Sequence, residues 1–157
     1  MNKKAILSII FFNLIFTINC SSKKNIQTPL TAQVSVISEE PRKTIEVRSI
    51  GYGKNESQAA YDAERKAFEI IFFRGIPNTG VEKPLIGIDE NKAYSNSPQY
   101  LKDFFDSRYL SFIMSSFMAS PPQKNKGLVT VVKDIKINLM SLKKDLENHH
   151  VIRSFGF

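Results

Sequence analysis

The stretch TIEVRSIGYGKNESQAAYDAERKAFEIIFF, residues 44–73, sets the architecture. From Thr44 to Tyr52, Ile45 and Val47 alternate with Thr44, Glu46 and Arg48, the period of a strand with one buried face. Ile50 falls on the polar side of that alternation, which predicts a bulge or a covered second face there. Gly51 and Gly53 then end the strand, read as a tight turn with positive backbone φ. Asn55 is placed as a helix N-cap, and Gln58 three residues on completes a capping box. The helix is predicted to run to about Phe73, where Gly75 and Pro77 stop it. Ala60, Ala63, Ala67 and Ile70 or Ile71 recur at three- and four-residue steps, so the apolar stripe is made largely of small side chains. Such a helix can lie close on a sheet. Asp62 and Lys66 belong to its wetter side.

Downstream, residues 76–97 are rich in Pro, Gly and Asn and show no period apart from the apolar patch Leu85 to Ile88. An irregular loop of this length in a small domain is often functional or mobile. Ser97 and Pro98 open a short helix over Gln99 to Asp106, with Leu101, Phe104 and Phe105 inward. Tyr109 to Phe117 reads two ways: it could prolong that helix, but its aromatic and β-branched content favours a strand. Pro121, Pro122, Asn125 and Gly127 make the next turn. Leu128 to Leu139 is the clearest strand, with Ile135, Ile137 and Leu139 alternating against Asp134, Lys136 and Asn138. It should form a hairpin with the segment before it. Ser141 is expected to cap a last helix, Leu142 to Asn148, after which Val151, Ile152, Phe155 and Phe157 should pack against the body. The predicted fold is α+β, a small mainly antiparallel sheet with helices packed on one face, in a single domain over residues 43–157.

Upstream, Lys3 and Lys4 precede fourteen mostly apolar residues, Ala5 to Ile18, and after Asn19 comes the only cysteine of the chain, Cys20. A positive start followed by an apolar run of this length is the plan of a secretory signal peptide, predicted over residues 1–19. A bilayer-spanning helix needs about 20 apolar residues, so the run is short for one. From Cys20 to Arg42 the sequence is polar, with Pro29 and Pro41, and reads as a tether. Within it Val34 and Val36 alternate with polar residues over 32–38, a pattern that would also suit a short edge strand.

The composition limits the possibilities further. At 157 residues with 42% apolar content, the chain suits one small globular domain and is too short for a two-domain enzyme. A single Cys excludes an internal disulfide framework and any multi-cysteine zinc site. Removing residues 1–19 removes Lys3 and Lys4 and no acid, which leaves +5 of the formal +7. So modest an excess fits weak attraction to acidic head groups or cell-wall polymers and gives no reason to expect nucleic acid.

The placement of Cys20 resembles that of bacterial lipoproteins, whose cysteine after the apolar run is acylated and becomes the first residue. Thr17 and Asn19 stand where the usual pattern has Leu and a small residue, so the match is to a relaxed form. The resemblance implies lipidation at Cys20, and full acylation would make membrane attachment practically permanent. Ser21 after the cysteine implies delivery to the outer membrane, and the basic pair Lys23 and Lys24 favours its periplasmic face.

Residues with chemical potential are few and scattered. Gly51, Gly53 and Lys54 before a helix could cradle a phosphate, but neither a dinucleotide fingerprint nor a P-loop is completed. His149 and His150 are the only histidines, and adjacent residues do not easily face one metal. Asp103 and Asp106 could share a helix face, with Lys102 and Arg108 beside them. Glu39–Glu40 and Asp89–Glu90 read as solvated charge. No catalytic, cofactor-binding or metal-binding set is expected. The C-terminal run Ile152 to Phe157, the loop 76–97 and the solvent side of Tyr109 to Phe117 are the candidate contact surfaces.

The strand 44–52 with Gly51, Gly53 and the alanines Ala59, Ala60, Ala63 and Ala67 also resembles small bacterial outer-membrane lipoproteins related to flagellar-assembly lipoprotein domains. That resemblance covers about Ile45 to Ile71, with an echo in Ile135 to Leu139 and the helix after it. It implies a non-enzymatic accessory protein of the envelope, a binding or scaffold domain for a protein or cell-wall partner, with no functional residues carried over. Two alternatives stand beside it. One is an envelope enzyme with a lid at 76–97, and the other is a lipoprotein exposed on the cell surface.

Overall fold

A computed structural model describes residues 33–153. Residues 1–19, read from the sequence as a signal peptide, together with Cys20 and the terminal Phe155 and Phe157, lie outside the described residues. Five strands and four helices follow one another as β1 (Val34–Glu40), β2 (Thr44–Gly53), α1 (Glu56–Phe73), α2 (Glu90–Asn96), α3 (Pro98–Asp106), a 3-10 turn (Arg108–Phe112), β3 (Ile113–Met118), β4 (Gln123–Asn125), β5 (Leu128–Asn138) and α4 (Leu139–Asn148). The sheet is antiparallel throughout with strand order β1-β2-β5-β3, and β4 pairs with the first residues of β5. This is the expected α+β architecture.

The register between β2 and β5 runs without interruption from Thr44–Asn138 to Gly53–Val129. No bulge forms at Ile50, which simply lies on the helix-free face opposite Val132. Strand β2 continues through both glycines, and neither has positive φ. Their role is close approach. A Cβ on Gly51 would stand 2.0 Å from the Ala59 carbonyl oxygen and 2.4 Å from the Ala63 amide nitrogen, and one on Gly53 would stand 2.4 Å from the Ala59 nitrogen. The buried alanines Ala59, Ala63 and Ala67 complete that contact from the helix side, and Ser49 Oγ donates 2.7 Å to the Ala63 carbonyl.

Local chemistry explains both ends of α1. Asn55 Oδ1 accepts from the Gln58 amide at 2.9 Å, and Gln58 Oε1 accepts in turn from Lys54 N–H at 3.1 Å. At the other end Gly75, with φ 75°, donates its amide to the Ile70 carbonyl at 2.7 Å. Between them Asp62 and Lys66 serve the edge of β2 past the end of the β1 ladder at Val34–Ser49. Asp62 accepts the Tyr52 amide at 2.8 Å, and Lys66 Nζ lies 3.4 Å from the Ile50 carbonyl and 2.6 Å from Asp62. An exposed ion pair would contribute little; this one closes two backbone groups.

Strand β1 takes Val34–Glu40 into the sheet, so the tether expected as far as Arg42 is overtaken by the edge strand that the Val34/Val36 alternation suggested. The long loop also holds a helix that its composition hid. Asp89 caps α2 by accepting from Lys92 N–H at 3.0 Å, Glu90 pairs with Arg74 at 2.5 Å, and Glu39 accepts the Gly80 amide at 2.7 Å. These acids are solvated, as expected, and also act as structural ties. Residues 109–117 divide into a 3-10 turn, which buries Tyr109 and Phe112, and β3. The tight turn before β5 belongs to β4, with Lys126 and Gly127 at its tip. The last helix starts earlier than expected, because Asn138 caps it by accepting from Ser141 N–H at 3.0 Å.

The core lies between the sheet and the helices and is rich in phenylalanine. Phe104 packs against Phe68, Phe72 and Phe112 with ring centroids 5.4, 4.7 and 5.8 Å away. Val151 and Ile152 pack half-buried against the same core. Helix α4 is fastened to α3 and the 3-10 turn through Asp145, which accepts from Arg108 at 3.0 and 2.5 Å and from Tyr100 Oη at 2.8 Å. Burial pushes the Asp145 carboxyl up, but the Arg108 and Tyr100 hydrogen bonds outweigh it and hold the group below the usual aspartate range. The stabilisation is therefore full above that range and is lost as pH falls through the depressed value. Because Arg108 is partly solvated, an Asp145→Asn chain should lose on the order of 1 kcal/mol at neutral pH. Its stability should also fall less than that of the unaltered chain as pH drops below the ordinary aspartate range, measured by denaturant titration.

Candidate interaction surface

From Tyr109 to Gln123 fifteen consecutive residues carry no charge, in a chain whose charged fraction is 24%. The fold divides them by position. Tyr109 and Phe112 go into the core, while Leu110 is 54%, Met114 55% and Phe117 65% exposed. Strand β3 pairs with β5 on one side, and among the described residues no strand covers its other side. Met114 sits at the register shift between Ile113 and Ser115. Methionine and aromatic side chains offer large, adaptable apolar area, and an uncharged edge offers unpaired backbone groups. The opposite edge also has a register shift, between Val36 and Ser38, but differs in charge, since β1 carries Glu39 and Glu40.

On the helix-free face Phe117 stands opposite Asp134, which takes both of its hydrogen bonds from Arg48 at 2.8 Å. The Arg48 guanidinium holds the Asp134 carboxyl below the ordinary aspartate range. Ile50 and Val132, paired in the adjacent row and half-buried, extend the apolar surface away from Phe117. The result is an apolar strip flanked by a fixed ion pair.

Beneath β3, on the helix side, a buried polar cluster fixes its position. Glu64 of α1 accepts from Ser116 Oγ of β3 at 3.0 Å, from Tyr109 Oη at 3.2 Å and from Lys133 Nζ of β5. The Glu64 and Lys133 side chains are each only 12% exposed. Burial first, and the Glu64 charge second, keep the Tyr109 hydroxyl protonated well above the ordinary tyrosine range. One carboxylate thus ties helix, 3-10 turn and two strands together. Sequence reading missed it, although two signals were present. Glu64 falls on the stripe of Ala60 and Ala67, and Lys133 shares the parity of Ile135 and Ile137.

The other residues singled out from the sequence do not converge. Gly51 and Gly53 have α1 packed over them, so they form no cradle. His149 Nδ1 lies 2.9 Å from the Asp145 carbonyl oxygen, and His150, with φ 55°, terminates α4. Asp103 takes both contacts of Gln99 Nε2 at 2.8 and 3.0 Å, and Asp106 pairs with Lys102 at 3.0 Å, so the two carboxylates serve their own helix. A shallow recess of about 280 Å³ lies between Ile86, Ile88, Ala93 and Val151, with Asp89 and Lys92 on its rim. Among the described residues no helix is long and apolar enough to cross a membrane. Compared with known proteins, the chain matches no family model, no curated protein and no solved structure.

Proposed function

We propose that this chain is a lipid-anchored envelope protein, held at the periplasmic face of the outer membrane through Cys20, whose domain is a non-enzymatic binding module. Its partner is a protein that lays an extended apolar segment along the free edge of β3, adding a strand to the sheet and covering Phe117 and Met118. The observation that supports this best is the conjunction, on one free edge strand without charge, of exposed Met114, Phe117 and Met118. The anchor half of the reading is supported by Lys3, Lys4, the apolar run and the position of Cys20. An enzyme would need convergent polar groups in a cleft, and Asp89, on the rim of the recess, is already committed to capping α2.

A photocrosslinker at Met118 in intact membranes should capture a defined protein, while the same probe at Ser35 on β1 should not. Phe117→Glu should weaken that association by on the order of thirtyfold, the loss of a central aromatic contact. Its unfolding free energy should stay within about 0.5 kcal/mol of the unaltered chain, as befits a surface site. Equal capture from β1 and β3, or unchanged binding by Phe117→Glu, would rule out this edge. Mass spectrometry of the native chain should find Cys20 at the N-terminus carrying acyl groups; a free thiol there would remove the anchor.

A further inference from the structure

We propose that the end of the sheet formed by Lys54 and the β4–β5 turn rests on an anionic phospholipid surface, the membrane that holds the anchor. This rests on the lipid-anchor reading above. The course of the chain supplies the first argument. Strand β1 runs antiparallel to β2 with Val34 opposite Ser49, so the chain enters the sheet from the side on which Gly53 lies. Thirteen residues separate Cys20 from Val34. Covalent geometry limits their reach to about 45 Å. Val34 is level with Ser49, four residues from Gly53 and five from Thr44, so the Gly53 end lies about 13 Å from it and the other end about 17 Å, and the direction of β1 turns the anchor side of the chain toward Gly53.

Charge and shape supply the second argument. Gly53 pairs with Val129, which brings Lys54 beside the β4–β5 turn with Lys124 and Lys126. Across residues 53–58 and 123–128 these three lysines face a single acid, Glu56. None of the three makes an ion pair among the described residues, whereas Lys43, at the far end of β2, holds Glu40 at 2.8 Å. The turn has Lys126 at φ 48° and Gly127 at φ 81°, the mirror-image geometry of a stiff two-residue hairpin. A Cβ on Gly127 would meet nothing within 4 Å, so the tip stands clear of the rest of the domain. Leu128 beside it is 46% exposed. An apolar side chain set among unpaired lysines suits the boundary between headgroups and acyl chains, and Lys23 and Lys24 next to the anchor carry the same sign.

The test uses the full native chain, bearing a fluorophore on Asn125→Cys at the tip or on Glu82→Cys at the far end, added to vesicles containing a headgroup quencher. One set of vesicles is phosphatidylcholine alone and the other is one part in three phosphatidylglycerol. Quenching at position 125 should rise about threefold or more on the anionic vesicles and fall back in molar salt or in K54E/K124E/K126E. Quenching at position 82 should not change. Flotation with the neutral vesicles reports the anchor separately. A chain that floats on neutral vesicles but shows equal quenching at 125 on both compositions keeps its anchor and overturns the tip contact. One that floats only on anionic vesicles, and only with its lysines, overturns the anchor and keeps the contact. Flotation on neither overturns both.

Discussion

Replacing Lys133 with methionine is expected to destabilise the domain by about 3–5 kcal/mol, the cost of leaving a buried carboxylate without its counter-charge. Methionine fills most of the volume of the lysine stem, so the loss is electrostatic. Glu64 would retain Ser116 at 3.0 Å and Tyr109 at 3.2 Å, two neutral hydroxyl donors in place of an ammonium. With both charged side chains 12% exposed, water can do little to screen the orphaned charge. The converse single change, Glu64→Gln, should cost a similar amount by stranding Lys133. Making both changes together should recover more than half of either loss, because a glutamine oxygen still accepts from Ser116 and Tyr109 while no charge remains buried. Urea denaturation of the four chains measures the coupling. A cost below about 1 kcal/mol for Lys133→Met, or a double variant no better than the singles, would mean that the pair behaves like a surface ion pair. Since the cluster holds β3 to α1, partner capture at Met118 should weaken in the single variants and return in the double.

The same cluster shows where sequence reading stops. Alternation in β2 and β5, the alanine stripe and the Asn55 cap each depend on residues close together in the chain, and each was legible as local pattern. The joining of Glu64, Tyr109, Ser116 and Lys133 depends on residues up to 69 positions apart, and no local period encodes it. Glu64 and Lys133 look like intrusions on apolar faces until the sheet brings them together. Helix α2 was hidden for another reason. Its seven residues are too few for periodicity to accumulate, and it is held by the Asp89 cap and by Arg74 from outside. Tyr109 to Phe117 was undecided because the segment changes structure halfway, from a turn that buries rings to a strand that exposes them. Its lack of charge was visible in the sequence, but only the edge position of β3 turns that lack into a surface.

Gly51→Ala should be at least as damaging, at about 3 kcal/mol or more, although it adds a single methyl to a strand and would ordinarily favour one. Its new Cβ would stand 2.0 Å from the Ala59 oxygen and 2.4 Å from the Ala63 nitrogen, backbone atoms that no rotamer change can move aside. The helix would have to lift from the sheet by roughly 1 Å, which pulls at the Ser49–Ala63 bond of 2.7 Å and at the closure of the β2 edge by Asp62 and Lys66. Removing the Ala63 methyl should give no rescue, because the two nearest clashes are with main chain and a helix glycine itself costs about 1 kcal/mol. Gly127→Ala provides the contrast. Its φ of 81° strains any side chain, but the space around it is open. Its cost should be only about 1–2 kcal/mol, the ordinary penalty of a left-handed residue. If soluble yield or the denaturation midpoint ranks Gly127→Ala as the worse of the two, or if Ala63→Gly restores Gly51→Ala, then the glycines of β2 are not there to admit the helix backbone. If the expected order holds, the Gly-Tyr-Gly sequence that suggests an anion cradle is instead the seat of α1, and the binding role we propose stays with the uncharged edge of β3 on the far side of β5.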